Sequence, residues 1–438
     1  MKTSSKLFAL LLAICCLAAC GTSQPVDKQG ETQSTTGGTK SQTGQSGAWP
    51  TEDFSAVTPK LQTMDSAHYD QGLAEMAALY AMLAYDDYSY SSEESSYYTQ
   101  TERRDAPEPL QAQLSADGYL HVESQNYKND NEHDISYTLA CQNVKDGEVL
   151  LAVILRGTDG VEWLGNMDVG RGSRHESFEK ANQSLQSAIK AYISKYKLDN
   201  IIFFVTGHSR GAAVANLLTA DLNQNAAAFK TDASKVFCYA FATPNNTTAP
   251  AADKNIFNFT FEDDFVPQVP LKKWGFGKYG STATASAQAL YESNSEFNSR
   301  MNRYANLSYG RAPSFDKAAT EKVLEDFYEL APTVEVYYTK EYMMAPDHGL
   351  VTGEEDQTMH GFMRNYIGNA AAFGLDDLGS SIGAALKRLP AGNDVKAIAD
   401  YFIEGWLPPE ARRSINDTHQ AFTYYAALKT GGFSAPKE

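Results

Sequence analysis

The segment Ile201-Ile202-Phe203-Phe204-Val205-Thr206-Gly207-His208-Ser209-Arg210-Gly211-Ala212-Ala213 constrains the fold more than any other part of the chain. Its first five residues are β-branched or aromatic and all apolar. Such a run reads as a strand buried on both faces, as in a parallel sheet covered by helices. Residues 212–222, rich in alanine, have helical spacing. Between strand and helix lies Gly-x-Ser-x-Gly. A bare match recurs by chance about once in several chains of this length, so its weight comes from the elements on either side. A serine at a sharp strand-to-helix turn needs residues without bulk two before and two after it, and Gly207 and Gly211 meet that need. Its hydroxyl then stands at the carboxyl edge of the sheet, beside a helix N-terminus whose dipole and free N–H groups favour a developing negative charge. Ser209 is the candidate nucleophile.

The rest of the chain supplies such a sheet. Residues 119–127 and 135–143 alternate with period two, and 148–155 is a nearly continuous apolar run. Residues 176–196 have helical spacing, as do residues from Ala67 to Ala84, while 236–241 and 256–261 read as further strands. Strands alternating with helices predict an α/β fold with a mostly parallel central sheet and helices on both faces. Residues 86–102 read as an exposed loop. After Pro270 the pattern becomes helical and irregular to the C-terminus, and there is no internal repeat.

A serine nucleophile needs a base, and the base an orienting carboxylate. On such a scaffold the order along the chain is Ser, then Asp or Glu, then His. The acid is expected in Phe261-Glu262-Asp263-Asp264-Phe265-Val266-Pro267, just after a strand that ends at the same sheet edge. Three histidines follow, His348, His360 and His419. His360, where a polar loop passes into an amphipathic helix, is the preferred base. The segment Leu155-Arg156-Gly157-Thr158-Asp159 turns at that edge too, so an oxyanion hole would combine the N–H of Thr158 with that of Arg210.

These segments together resemble the class 3 lipases, the fungal triacylglycerol lipase-like family. The resemblance rests on Arg156-Gly157-Thr158, Glu162-Trp163-Leu164, Thr206 to Ala213, Phe241-Ala242-Thr243-Pro244, Asp264-Phe265-Val266-Pro267 and a late histidine, in that order over residues 70–370. It implies an α/β-hydrolase that cleaves carboxylic esters of lipids through Ser209, Asp264 and His360, without cofactor or metal. By the same resemblance the acid is Asp264 rather than Asp263, and residues 161–167 form part of a mobile lid. Residues 271–309 look like an insertion shaping the pocket. The chain departs from the family in carrying Arg210 after the serine, where leucine is usual, and Ala212 where glycine is usual. A long cation at the mouth of the site would favour anionic substrates such as phospholipids, or pair with the lid. Phospholipase A1 and carboxylesterase activities on the same scaffold are alternatives, as is an inactive surface-anchored binding protein.

The N-terminal residues are of another kind. Lys2 and Lys6 precede a short apolar stretch, residues 7–19, as in an export signal. Leu17-Ala18-Ala19-Cys20-Gly21 resembles a bacterial lipobox, which implies removal of residues 1–19 and acylation of Cys20. Several acyl chains at one residue anchor far better than one, because each buried methylene adds about 0.8 kcal/mol. Residues 20–60, polar and rich in Gly, Ser, Thr and Gln at first, read as a tether, and 61–438 as the hydrolase domain with a C-terminal helical extension. The expected partners are therefore a lipid or small ester and a membrane reached through the anchor. The net charge of −17 argues against nucleic acid. Cys141 and Cys238, the two cysteines outside residues 1–20, lie in strand-like runs and are open to pairing or to burial as thiols.

Overall fold

The computed structural model describes residues 49–85, 106–128, 131, 133–158, 162–166, 169–170, 172–330 and 409–436. After a single helical turn at Lys60–Thr63 come two helices, α1 (Gln71–Leu83) and α2 (Glu108–Ala116), and two strands follow, β1 (Leu120–Gln125) and β2 (Tyr137–Asn143). Then come β3 (Val149–Leu155), the single turn α3 (Glu162–Gly165), α4 (Glu176–Tyr196), β4 (Ile201–His208) and α5 (Arg210–Gln224). The sheet continues with β5 (Val236–Phe241), β6 (Ile256–Phe261) and β7 (Ser281–Ala285). Helices α6 (Ala287–Ser293), α7 (Ser295–Tyr309), α8 (Lys317–Leu330), α9 (Pro409–His419) and α10 (Ala421–Lys429) complete the described chain.

The seven strands lie side by side in chain order. β1, β2 and β3 form an antiparallel meander, and β3 to β7 run parallel. This is the expected α/β architecture. A right-handed crossover that always advances in the same direction places its helix on the same side. Accordingly α4 and α5 share one face, where Phe178, Leu185, Ile189, Leu217 and Leu218 meet Ile201, Phe203 and Val205 of β4. The other face is left to helices outside the crossovers. There Leu73, Leu79 and Tyr80 of α1, Met301 and Tyr304 of α7 and Phe422 and Tyr425 of α10 join Ile202 and Phe204 of the same strand. Every side chain of β4 is buried, which is why the sequence shows no alternation there.

Two boundaries differ from expectation. β7 extends the sheet inside residues 271–309, and Phe297, Met301 and Tyr304 of that stretch enter the core, so it is part of the domain rather than an insertion over a pocket. Only Ala283 of β7 is buried, and a Ser-Thr-Ala-Thr-Ala edge strand carries almost no apolar signal. At the other end Phe54 and Leu61 are buried in the core and Glu52 accepts from Tyr425, so the fold takes in residues upstream of position 61. Cys141 and Cys238 are buried free thiols on β2 and β5, with two strands between them. Burial pushes the thiol of Cys238 up to about 12.

Candidate active site

The turn expected at residue 209 forms. β4 ends at His208, α5 begins at Arg210, and Ser209 between them has φ 58° and ψ −125°. That conformation costs a residue with a side chain about 1–3 kcal/mol, so the surroundings must impose it. Ser209 N donates to Phe241 O of β5 at 2.9 Å, and Ser209 O accepts from Ala213 N at 3.0 Å. The two motif glycines have no room for more. A Cβ on Gly207 would stand 2.6 Å from the carbonyl carbon of Gly211, and one on Gly211 would stand 2.5 Å from Leu155 O. β3, β4 and α5 thus touch backbone to backbone at the elbow.

The turn after β6 presents two adjacent carboxylates that part company. Asp263 faces the start of α6, accepting from Ser286 Oγ at 3.1 Å, Ala287 N at 2.9 Å and Gln288 N at 2.8 Å. Asp264 faces the elbow. Its Oδ1 accepts from Val266 N at 3.0 Å, and its Oδ2 accepts from Tyr424 Oη at 2.7 Å and lies 2.8 Å from His419 Nδ1. The other nitrogen of that ring, Nε2, lies 2.9 Å from Ser209 Oγ. Ser209, Asp264 and His419 are 3%, 0% and 3% exposed, so the array is buried.

The place expected for His360 is therefore taken by His419, the last residue of α9; His360 lies outside the described residues. One signal did point to His419. It is separated by a single glutamine from Ala421–Lys429, whose apolar residues have to be buried, so it must enter the interior with them. Tyr424, in that same helix, gave no sequence signal; its hydroxyl accepts from Phe261 N and donates to Asp264, and burial with the neighbouring carboxylate holds its pKa well above that of a free phenol.

β3 and β4 pair through Leu155 and Gly207, so Arg156-Gly157-Thr158 leaves the sheet alongside the elbow. A Cβ on Gly157 would stand 1.9 Å from Tyr85 Oη and 3.1 Å from His208 O. Tyr85 Oη in turn lies 2.7 Å from His208 Nδ1. Burial, and then the neighbouring His419, push His208 well below the ordinary imidazole pKa, so it is neutral. Thr158 Oγ1 accepts from Asn166 Nδ2 at 2.9 Å. Lys278 donates to the carbonyls of Thr243 and Pro267, tying together the loops that follow β5 and β6, and burial pushes its ammonium pKa down to about 7.

Arg210 departs from expectation. Its side chain is 1% exposed and does not reach the mouth of the site. The guanidinium donates to Asn166 Oδ1 at 2.9 Å, Asp134 O at 3.0 Å and Ser177 Oγ at 3.0 Å, and its carbon stands 5.4 Å from the Phe178 ring centre. Three acceptors on three segments take it inward. Of the segment expected to form a lid, 161–167, the described part is α3 and Asn166, with Glu162 buried 4.0 Å from Arg156 and 3.3 Å from Ser136 Oγ. Cys20 lies outside the described residues. Among the described residues no cluster of His, Cys, Asp or Glu is arranged to hold a metal ion, and no helix is long and apolar enough to cross a membrane.

No curated protein matches the chain. Solved structures that resemble it include a triacylglycerol lipase described as having a serine protease triad, 18% identical, covering 50% of this chain and 82% of its own, with a TM-score of 0.33. The triacylglyceride lipase of Rhizomucor miehei is 17% identical over 51% of this chain and 83% of its own, with a TM-score of 0.33. The mono- and diacylglycerol lipase of Aspergillus oryzae is 17% identical over 50% and 81%, with a TM-score of 0.34. Those scores are low and carry no argument; in sequence, residues 153–274, which run from the end of β3 through the elbow, β5 and β6 to Asp264 and beyond, match the family model "Lipase (class 3)". That segment carries the class 3 lipase signature that the motifs implied, and it supports a carboxylic ester hydrolase.

Proposed function

We propose that the chain hydrolyses carboxylic esters of lipids by acyl transfer through Ser209, His419 and Asp264. The observation that carries this reading is the continuous line from Ser209 Oγ to His419 Nε2, 2.9 Å, and from His419 Nδ1 to Asp264 Oδ2, 2.8 Å. Ser209 Oγ attacks the ester carbonyl as its proton passes to His419 Nε2. The N–H groups of Thr158 and Arg210 receive the oxyanion. The C–O bond to the alcohol then breaks, and His419 returns the proton to the departing alkoxide. Water attacks the acyl-enzyme with His419 again taking a proton, and the carboxylic acid leaves with Ser209 restored. Asp264 keeps the imidazole in the tautomer with Nδ1–H, and Tyr424 and the Val266 amide fix the carboxylate in turn.

The test is hydrolysis of p-nitrophenyl butyrate together with labelling by a fluorophosphonate. Ser209→Ala is expected to lose both completely, and His419→Ala to lose at least about 10³-fold in kcat. His360→Ala is expected to keep wild-type turnover; loss there with retention in His419→Ala would return the base to His360. Tributyrin, long-chain triglyceride and phospholipid given in parallel then decide the substrate within the class. The lipobox-like Leu17-Ala18-Ala19-Cys20 supports attachment of the enzyme to the outer face of a membrane through acylated Cys20. Incorporation of labelled palmitate that disappears in Cys20→Ala is the expected result.

A further inference from the structure

The residue that follows the nucleophile is fixed in its side chain as well as in its backbone. Arg210 grips three separate segments: Asp134 before β2, Asn166 at the end of α3, and Ser177 in the first turn of α4. Asn166 is the pivotal partner, because its amide is used at both ends. Oδ1 accepts from Arg210 and Nδ2 donates to Thr158 Oγ1, each at 2.9 Å. Its backbone is held too, with N donating to Glu162 O at 3.2 Å and O lying 3.2 Å from His175 Nε2. His175 stacks on Phe178 with ring centres 3.8 Å apart and planes 12° from parallel, and Phe178 carries the Arg210 cation. The result is a closed bracket around one asparagine.

We propose that the Arg210 side chain is a positioning residue for the oxyanion hole, acting through Asn166 on Thr158. The proposal rests on the reading above that the N–H groups of Thr158 and Arg210 are the two donors. Those donors come from different loops, one after β3 and one at the start of α5, and the oxyanion needs both within a few tenths of an ångström of their places. The bracket Arg210–Asn166–Thr158 makes the second donor's own side chain hold the first donor's loop. A leucine at position 210 makes no such bond, so in this chain the arginine supplies a register between the two loops that an apolar side chain cannot.

Asn166→Ala tests it with the smallest disturbance, since the guanidinium keeps Asp134 O and Ser177 Oγ. Thr158→Val removes the hydroxyl that Asn166 reaches and leaves the backbone N–H in place. For p-nitrophenyl butyrate each variant, and Arg210→Gln, is expected to lose about tenfold in kcat with less than twofold change in KM. Affinity for a phenylboronic acid, which places an oxygen in the oxyanion hole, is expected to weaken by the same factor. Asn166→Ala/Thr158→Val is expected to be no slower than the slower single variant, because both cut one link. Unchanged kcat in a folded Asn166→Ala, losses that multiply, or a rise confined to KM would overturn the proposal. Should Arg210→Gln not fold, the Asn166 and Thr158 pair decides alone. Failure of the acyl-transfer reading, on which the two donors depend, looks different: Ser209→Ala would then remain active.

Discussion

Asp263 and Asp264 leave β6 by different routes, and substituting each separates chemistry from folding. Asp264 is fully buried and holds His419 at 2.8 Å, so Asp264→Asn offers Nδ1 a poor partner and leaves the imidazole in the wrong tautomer. The expected loss in kcat is about 10³–10⁴-fold, with the unfolding temperature nearly kept. Asp263 instead satisfies the Ala287 and Gln288 amides that open α6, along with the Ser286 hydroxyl. Asp263→Ala leaves those donors bare, at about 1–2 kcal/mol of stability, and is expected to hold kcat within twofold. Thermal melting and ester hydrolysis of the two variants, measured side by side, check both statements; a folded but inactive Asp263→Ala would reassign the acid.

At the level of elements, the strands that carry the site were legible because they are buried on both faces: β3, β5 and the first five residues of β4 read as unbroken apolar runs, and β6 is apolar apart from Asn258 and Thr260. β5 and β6 begin and end where the sequence put them, and the elbow announced itself through two glycines that touch neighbouring backbone. β7 was not legible, since an edge strand of small and hydroxyl residues buries only Ala283. The base was legible only faintly, through the single glutamine that separates His419 from the apolar helix Ala421–Lys429. A histidine's role depends on what its helix packs against, and α9 is held by contacts remote in sequence. Chief among them is Asp417, two residues before His419, which is fully buried and accepts from both Arg311 nitrogens at 2.7 and 2.8 Å and from Ser314 N at 2.7 Å. Burial raises the Asp417 carboxyl's pKa while Arg311 pulls it down. Arg311→Met strips that carboxylate of its cation and is expected to cost about 2–3 kcal/mol, below the range for a fully buried pair because Arg311 is partly exposed. As the end of α9 loosens, kcat should fall with it. Adding Asp417→Asn removes the stranded charge and should restore most of the stability, which melting of the single and double variants would show.

Over the whole molecule the topology joins folding to catalysis. Because the parallel crossovers advance in one direction, one face of the sheet is covered by helices from both ends of the described chain, and α10 at the far end brings His419 and Tyr424 with it. The opposite face, under α4 and α5, holds His175, buried at the start of α4. Burial, reinforced by the Arg210 cation, pushes His175 down to about 3, against 6.5 for a free imidazole. His208 beside the nucleophile is depressed in the same direction. The unfolded chain therefore takes up protons as pH falls below about 6.5, while the folded protein refuses them until about 3 at His175. Stability is complete above 6.5 and is lost through that window at up to about 1.4 kcal/mol per pH unit for each such group. Carboxylates add their own acid dependence, but they add it equally to a variant that lacks one imidazole. His175→Gln keeps an N–H able to reach Asn166 O and removes the titration. Its urea unfolding free energy should fall less steeply than that of the wild type between pH 6.5 and 4, by about one proton, and run parallel to it above pH 7. Equal slopes throughout would mean that His175 is protonated in the folded enzyme, and that the bracket around Asn166 holds two cations rather than one.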